Sequence, residues 1–331
     1  MKKLIALLLT LIVALGTLAS CGSDNTQLKI GFMNGPTGLG MAKLINDNGG
    51  LLGNDSYSFE KFSNTNDATA ALISGKLDMV CLPTTDAAKI YNNEQSEIDV
   101  QVLAVNCLNS LYVVAKNDIS ITSFEDLNGK TVLTCQKGTP KIILDALIEE
   151  YGLNVTVSTE FFNETTGQSQ TVVTPQDIPS VIKAKKADIV IAPEPIVTNA
   201  LMSSSDYSVQ LDLGSVWDAK FDTPVAMGCI IARRDFVNEH KSLVEKFLRE
   251  YKASIEFMSS TENLDTAAGY AVDATIMAAV PAAKKAISNL GDALSYVDGK
   301  NMKDAIVNSY RVFGNAEIGG KLPGDDFYYG S

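Results

Sequence analysis

The sequence predicts an α/β fold of two similar lobes joined by a pair of crossing strands. Three observations carry that prediction. Short apolar runs alternate with helix-period runs along the chain, the pattern of mainly parallel sheets flanked by helices. The stretch "SGKLDMVCLP", ending at Pro83, is echoed by "AKKADIVIAP", ending at Pro193, with Asp78 and Asp188 in register. Upstream of each lies a strand, a glycine-bearing turn and a helix start: "KIGFMNGPTGLG" in the first half, "KTVLTCQKGTPK" in the second. Two motifs repeated in one order imply two halves of like architecture. With 331 residues, 46% of them hydrophobic, the chain can bury a core in each.

In chain order, the strand-like runs are Leu28–Met33, Met79–Leu82, Val100–Val105, Leu111–Ala115, Thr131–Thr134, Asp188–Ala192 and Cys229–Ala232. The helical patterns are Gly40–Asn48, Ala68–Ser74, Asp86–Asn92, Pro140–Tyr151, Ile178–Lys185, Pro195–Ser203 and a long one at Asn238–Ser259. The apolar runs "LYVVA" and "TPVAMGCIIA" are read as crossing between the lobes side by side. The first lobe is then expected to comprise residues 28–112 and 230–331, and the second 113–229. Two crossing strands make a hinge, and a hinge between two lobes defines a cleft.

The N-terminus reads as a targeting segment. Lys2 and Lys3 precede the apolar "LIALLLTLIVALGTLA", which is shorter than the roughly 20 residues needed to span a bilayer. "LASC", Leu18–Cys21, resembles the bacterial lipobox, in which the cysteine is acylated and becomes the mature N-terminus. Residues 1–20 are thus expected to be a lipoprotein signal peptide, Cys21 the lipidation site (palmitate among its acyl chains) and 21–27 a polar tether. That places the chain on the extracytoplasmic face of the cell membrane, anchored by lipid without spanning it.

Charge and residue inventory narrow the function classes. Lys and Arg number 27 against 39 Asp and Glu, a net charge of −12, which argues against nucleic acid as a partner. Cys81, Cys107, Cys135 and Cys229 show no CxxC spacing and sit mostly in apolar runs, so buried free thiols are expected in place of zinc or a nucleophile. His240 is the only histidine and opens a charged helical stretch. No Ser–His–Asp set or metal cluster is visible, and the expectation is a non-enzyme without cofactor or metal.

In doubly wound sheets, ligands sit outside the carboxyl ends of the strands. Four such ends supply most of the candidate ligand residues. The first tip holds Asn34, Gly35, Pro36, Thr37 and Gly38: the glycines permit close backbone approach, and the helix start offers free N–H groups. Its spacing matches neither a Walker A loop nor a G-x-G-x-x-G fingerprint. The facing tip holds Lys137, Gly138 and Thr139 before Pro140, with Lys141 beyond. The echoed strands end in Thr84 and Thr85 and in Glu194, a carboxylate able to accept from an amine or amidine. Asn106 and Asn109 follow the strand "QVLAV", and Trp217, the only tryptophan, offers a stacking surface.

The segments "GPTGLGMAKL", "ALISGKLDMVCLP", "SFEDLNGKTV", "KGTPKIILDALIEEYGL", "DIVIAPEPIVT" and "GGKLPGDDFYY" span nearly all of the mature chain. Together they resemble the nitrate/sulfonate/taurine/thiamine-pyrimidine class of solute-binding lipoproteins that feed ABC importers. The resemblance implies a type II periplasmic-binding fold of two Rossmann-like lobes, and a monomer that partners a membrane permease and its ATPase. It also implies capture of a small-molecule solute by lobe closure. Opposed helix starts suit a sulfonate, nitrate or carboxylate, whereas Glu194 favours a zwitterion or an amino-pyrimidine. Two alternatives share the fold: a pyrimidine-synthesising enzyme, which leans on histidines where this chain has only His240, and a surface receptor without transport.

Overall fold

The computed structural model describes residues 26–96, 98–163 and 166–331. The expected signal peptide, Cys21 and residues 21–25 of the tether lie outside the described residues. Among the described residues no helix is long and apolar enough to cross a membrane.

The described residues form twelve strands: β1 (Leu28–Met33), β2 (Tyr57–Phe62), β3 (Met79–Pro83), β4 (Val100–Leu108), β5 (Tyr112–Lys116), β6 (Thr131–Leu133), β7 (Thr156–Ser158), β8 (Glu160–Asn163), β9 (Gln168–Thr171), β10 (Ile189–Ala192), β11 (Tyr207–Asp212) and β12 (Ala226–Arg233). One sheet runs β2-β1-β3-β12-β4, and the second, read from its far edge, β7-β6-β10-β5-β11. The two orders are the same. In each sheet three parallel strands are followed by one antiparallel strand, then by a strand that restores the original direction. The echoed motifs therefore occupy equivalent positions: β1 matches β6 and β3 matches β10. The antiparallel strand of each sheet, β12 or β5, is the one that arrives from a crossing.

The crossings lie at residues 109–111 and 222–225. The expected lobe boundaries differ slightly from these. Tyr112 already opens β5, and β12 joins the first sheet from Ala226, four residues before the expected start at 230. The apolar run "TPVAMGCIIA" has no internal punctuation to mark where the crossing ends and the strand begins.

Packing follows the sequence pattern. The helix Lys241–Ser259 buries Val244, Phe247, Tyr251, Ile255 and Met258, one face of a 3.6-residue repeat, against the first sheet. The other face of that sheet shares an apolar cluster with the second lobe, running through Leu111 and Val113 at the hinge to Val132, Ile143 and Trp217. The tail covers the edge of β4: Tyr328 bridges Val102, and Tyr329 N–H donates to Val102 O at 3.0 Å. Such covering blunts an edge strand that would otherwise offer unpaired backbone groups.

Candidate functional site

Strand direction alone brings the four tips together. β12 starts at the hinge and runs antiparallel to both β3 and β4, so the ends of β3, β4 and, by parallel pairing, β1 all lie on the hinge-side edge of the first sheet. In the second sheet β5 starts at the hinge, and Tyr112 pairs with Ala192 at the end of β10 and Asp212 at the end of β11. β6 runs parallel to β10 and ends on the same edge. The two carboxyl-end edges therefore face each other across the hinge, the placement that open α/β sheets use for ligands.

The β1 tip is a tight turn leading into the short helix Pro36–Leu39. Gly35 O accepts from Gly38 N–H at 3.2 Å and Leu39 N–H at 3.1 Å. A Cβ on Gly38 would lie 2.2 Å from the Met33 carbonyl oxygen, so only glycine closes this turn. Thr37 is buried, and its methyl packs where Gly228 of β12 leaves room: a Cβ there would meet it at 2.5 Å. Thr84 is engaged structurally. Its hydroxyl donates to Ala226 O at 2.6 Å, and its carbonyl accepts from Tyr310 OH at 2.5 Å, fastening the end of β3 to the returning strand. Thr85 is buried beside it.

Asn106 and Asn109 divide in role. Asn106 is fully buried; its Nδ2 donates to Tyr251 OH at 3.0 Å and Cys81 Sγ at 3.5 Å, while its Oδ1 has no partner and faces the Gly228–Thr37 contact. Asn109 clasps the hinge. Its N–H donates to Val225 O at 3.1 Å, its Oδ1 accepts from Val225 N–H at 2.7 Å, and its Nδ2 donates to Asp218 at 2.7 Å. Its left-handed backbone, φ 46°, suits asparagine at a sharp change of direction. Asn109 is thus committed to joining the crossings, as a correction to its expected place on the cleft wall. Ser110, the next residue of the crossing, is fully buried beside the Cys107 thiol, and its N–H donates to Met227 Sδ at 3.1 Å.

On the second lobe, Lys137 and Gly138 are exposed, and Lys141 is held by an ion pair to Asp145. Thr139 opens the helix Thr139–Tyr151, is buried, and leaves its Oγ1 without a partner. Glu194 is only 1% exposed. It accepts from Thr198 N–H at 3.1 Å, from Thr198 Oγ1 at 2.9 Å and, across the cleft, from Asn289 Nδ2 at 2.6 Å. Burial pushes its pKa up, opposed by the hydrogen bonds from Asn289 and Thr198 and by the charge of Lys285. Tyr112 adds a second cross-cleft bond, from its OH to Asn289 O at 3.0 Å. Neither Tyr112 nor Asn289 was a sequence candidate. Trp217 was, but it is fully buried, with its ring 4.3 Å from Phe221 and 5.8 Å from Phe313, so it serves the core and presents no stacking face.

At the cleft mouth a groove of 440 Å³ runs between Asn34 and the Val272–Ala278 segment of the first lobe and Asn199 of the second. His240 stands apart from the tips, packed on Phe236 with ring centroids 4.6 Å apart. Among the described residues no three His, Cys, Asp or Glu groups come together as a metal site.

The model of the NMT1/THI5 like family matches residues 58–262, more than half of the chain. The chain belongs to that family. No curated protein sequence matches it. Among solved structures this NMT1/THI5-like chain is similar to an ABC transporter protein from Parabacteroides distasonis: TM-score 0.71, 18% identity, 92% of this chain and 98% of that one covered. It is also similar to the periplasmic aliphatic sulphonate binding protein of Escherichia coli: TM-score 0.61, 15% identity, 86% and 85% covered. A third similar structure is the periplasmic nitrate-binding protein of Synechocystis: TM-score 0.56, 15% identity, 75% and 66% covered. At these identities the likeness is one of fold, and the fold is the expected two-lobed periplasmic-binding architecture.

Proposed function

We propose that this NMT1/THI5-like chain is the solute-binding lipoprotein of an ABC importer. It captures one small polar molecule between its lobes and delivers it to a membrane permease coupled to an ATPase, while acyl chains on Cys21 hold it at the extracytoplasmic face. The observation that carries the reading is a pair of buried oxygens without partners, one on each hinge-side edge: Asn106 Oδ1 and Thr139 Oγ1. Buried polar atoms are nearly always hydrogen-bonded in native proteins, and unmet ones on two facing edges are accounted for by a guest that arrives between them. Capture follows as a shift between open and closed arrangements, since only a solute with differential affinity for the closed form can move that equilibrium.

Binding is favoured over catalysis by the chemistry of the groups present. The buried polar side chains near the tips are hydroxyls, amides and one carboxylate. Burial pushes the thiols of Cys81, Cys107 and Cys135 up to about 12 and that of Cys229 well above its ordinary value, far from the thiolate a nucleophile needs. The test is native mass spectrometry of the protein purified without added ligand. One non-covalent small molecule per chain, released on unfolding, is the expected result. A chain that carries none, and that no polar solute stabilises against heat, would remove the solute-capture reading.

A further inference from the structure

Resting on the lipoprotein reading of Cys21, we propose that the loop of residues 49–54 in the first lobe is a membrane-contact site. Its Leu52 side chain enters the interface of a lipid bilayer. The first lobe then stands on the membrane with its strand starts down and the cleft turned to the aqueous side.

The first observation is Leu52 itself. It is 93% exposed, against 57% for the next most exposed large apolar side chain among the described residues. The loop holds it out by construction. Gly49 and Gly53 have φ of 89° and 73°; a Cβ would lie 2.4 Å from the Gly53 oxygen on the first and 2.0 Å from the Tyr57 oxygen on the second. Gly53 N–H donates to Gly50 O at 3.1 Å. Asn54 braces the base: its Oδ1 accepts from Ser56 N–H at 2.8 Å and Tyr57 N–H at 3.0 Å, and its Nδ2 donates to Asn48 Oδ1 at 2.9 Å. Leu51 packs against the apolar cluster of the first lobe, and Leu52 is left outward.

The second observation is where the chain emerges. Gln27 Nε2 donates to Asn54 O at 2.6 Å, and Leu28 N–H donates to Ser56 O at 2.9 Å, so the start of β1 is fastened to this loop. Cys21 lies six residues before Gln27. Six residues reach at most about 20 Å when fully extended, so a lipid on Cys21 keeps the Gln27–Asn54 contact within that distance of the bilayer. A lone exposed leucine carries no meaning by itself; one held firmly beside the anchor point is placed to meet the membrane. β1, β2 and β3 are parallel and begin at this edge, away from the hinge-side ends. Ile73, also exposed, ends the helix Thr65–Ile73 that leads into β3, at the same edge. The nearby charges give no net attraction to lipid headgroups: Asp55 and Lys29 are both exposed, and Asp47 is paired with Lys43. The contact is therefore apolar, and salt does not screen it.

The experiment uses the acylated full chain on vesicles of neutral phosphatidylcholine whose acyl chains are brominated and quench tryptophan. Mass spectrometry and co-flotation with the vesicles first establish acylation of Cys21 and binding. Trp217, fully buried, is the unquenched reference. Leu52→Trp is expected to lose emission to the bromines and to shift to the blue, equally at low and high salt. Met202→Trp, at an exposed position on the second lobe, is expected to emit as it does on unbrominated vesicles. Unquenched emission from Leu52→Trp in a chain that is acylated and bound would overturn the contact site and leave the lipid anchor standing. A blue shift without quenching that grows with protein density would give the loop to a second copy of the chain, and would overturn the site as well. A chain whose Cys21 is unmodified and that does not float with vesicles would overturn the lipoprotein reading, and this inference with it.

Discussion

Replacing Asn289 by alanine removes one arm of the cross-cleft contact and leaves the other, because Tyr112 OH bonds to the Asn289 backbone carbonyl. The lost bond is Asn289 Nδ2 to Glu194 Oε1, 2.6 Å long and charge-assisted. Hydrogen bonds to charged groups contribute about 1.5–3 kcal/mol. Glu194 is 1% exposed but Asn289 stands at the exposed rim, where water partly replaces its amide, so the lower end of the range applies. About 1.5 kcal/mol shifts the closed-to-open ratio of the free protein roughly tenfold toward open. The assay is single-molecule fluorescence transfer between dyes at Leu52→Cys and Met202→Cys, exposed positions on opposite lobes, in a Cys21→Ser chain whose Cys81, Cys107, Cys135 and Cys229 are buried. An Asn289→Ala protein with the closed population of the parent would refute the reasoning, since the bond would then hold nothing shut.

Three further outcomes follow from the same geometry. Trp217→Ala is expected to cost about 3–5 kcal/mol in denaturant unfolding, and solute affinity measured by calorimetry on the folded fraction should change little; a large affinity loss at unchanged stability would return the indole to the site. Gly38→Val forces a side chain onto the Met33 carbonyl, so it is expected to destabilise the β1 tip by at least about 1–3 kcal/mol and to weaken binding with it; a variant with parental stability and affinity would contradict the turn geometry. Glu194 has a folded-state pKa raised above its ordinary 4.5, so the folded state keeps that proton to higher pH and the wild type loses stability as pH rises from about 4.5 through the raised value. Glu194→Gln lacks this loss, and the stability difference, variant minus wild type, should grow with pH across that window; a flat or falling difference would show that burial does not dominate this carboxyl.

The sequence announced the central strands and concealed the edges. β3 and β10 are apolar runs buried on both faces, β1 and β6 are so except at Lys29 and Thr131, and their repeated order exposed the two-lobed plan. β2, β7 and β11 sit at sheet edges, keep one face in solvent, and read as mixed polar stretches such as "YSFEKF" and "YSVQLD". The placement of the candidate residues at the hinge-side edges was legible where local chemistry and strand direction coincide, as at Thr37, Asn106, Thr139 and Glu194. It was illegible where a role depends on distant partners. Asn109 looked like a cleft amide until Val225 and Asp218 were placed against it. Trp217 gave no local sign that Phe313 would cover it. Asn289 ends an ordinary amphipathic helix, and only the tertiary fold sets it on Glu194.

The most direct test of the account is a crystal structure of the protein with its retained solute. The account places that solute between the two sheets, within hydrogen-bond reach of Asn106 on one lobe and of Thr139 or Glu194 on the other. A solute bound to one lobe alone, or away from the hinge-side edges, would contradict it.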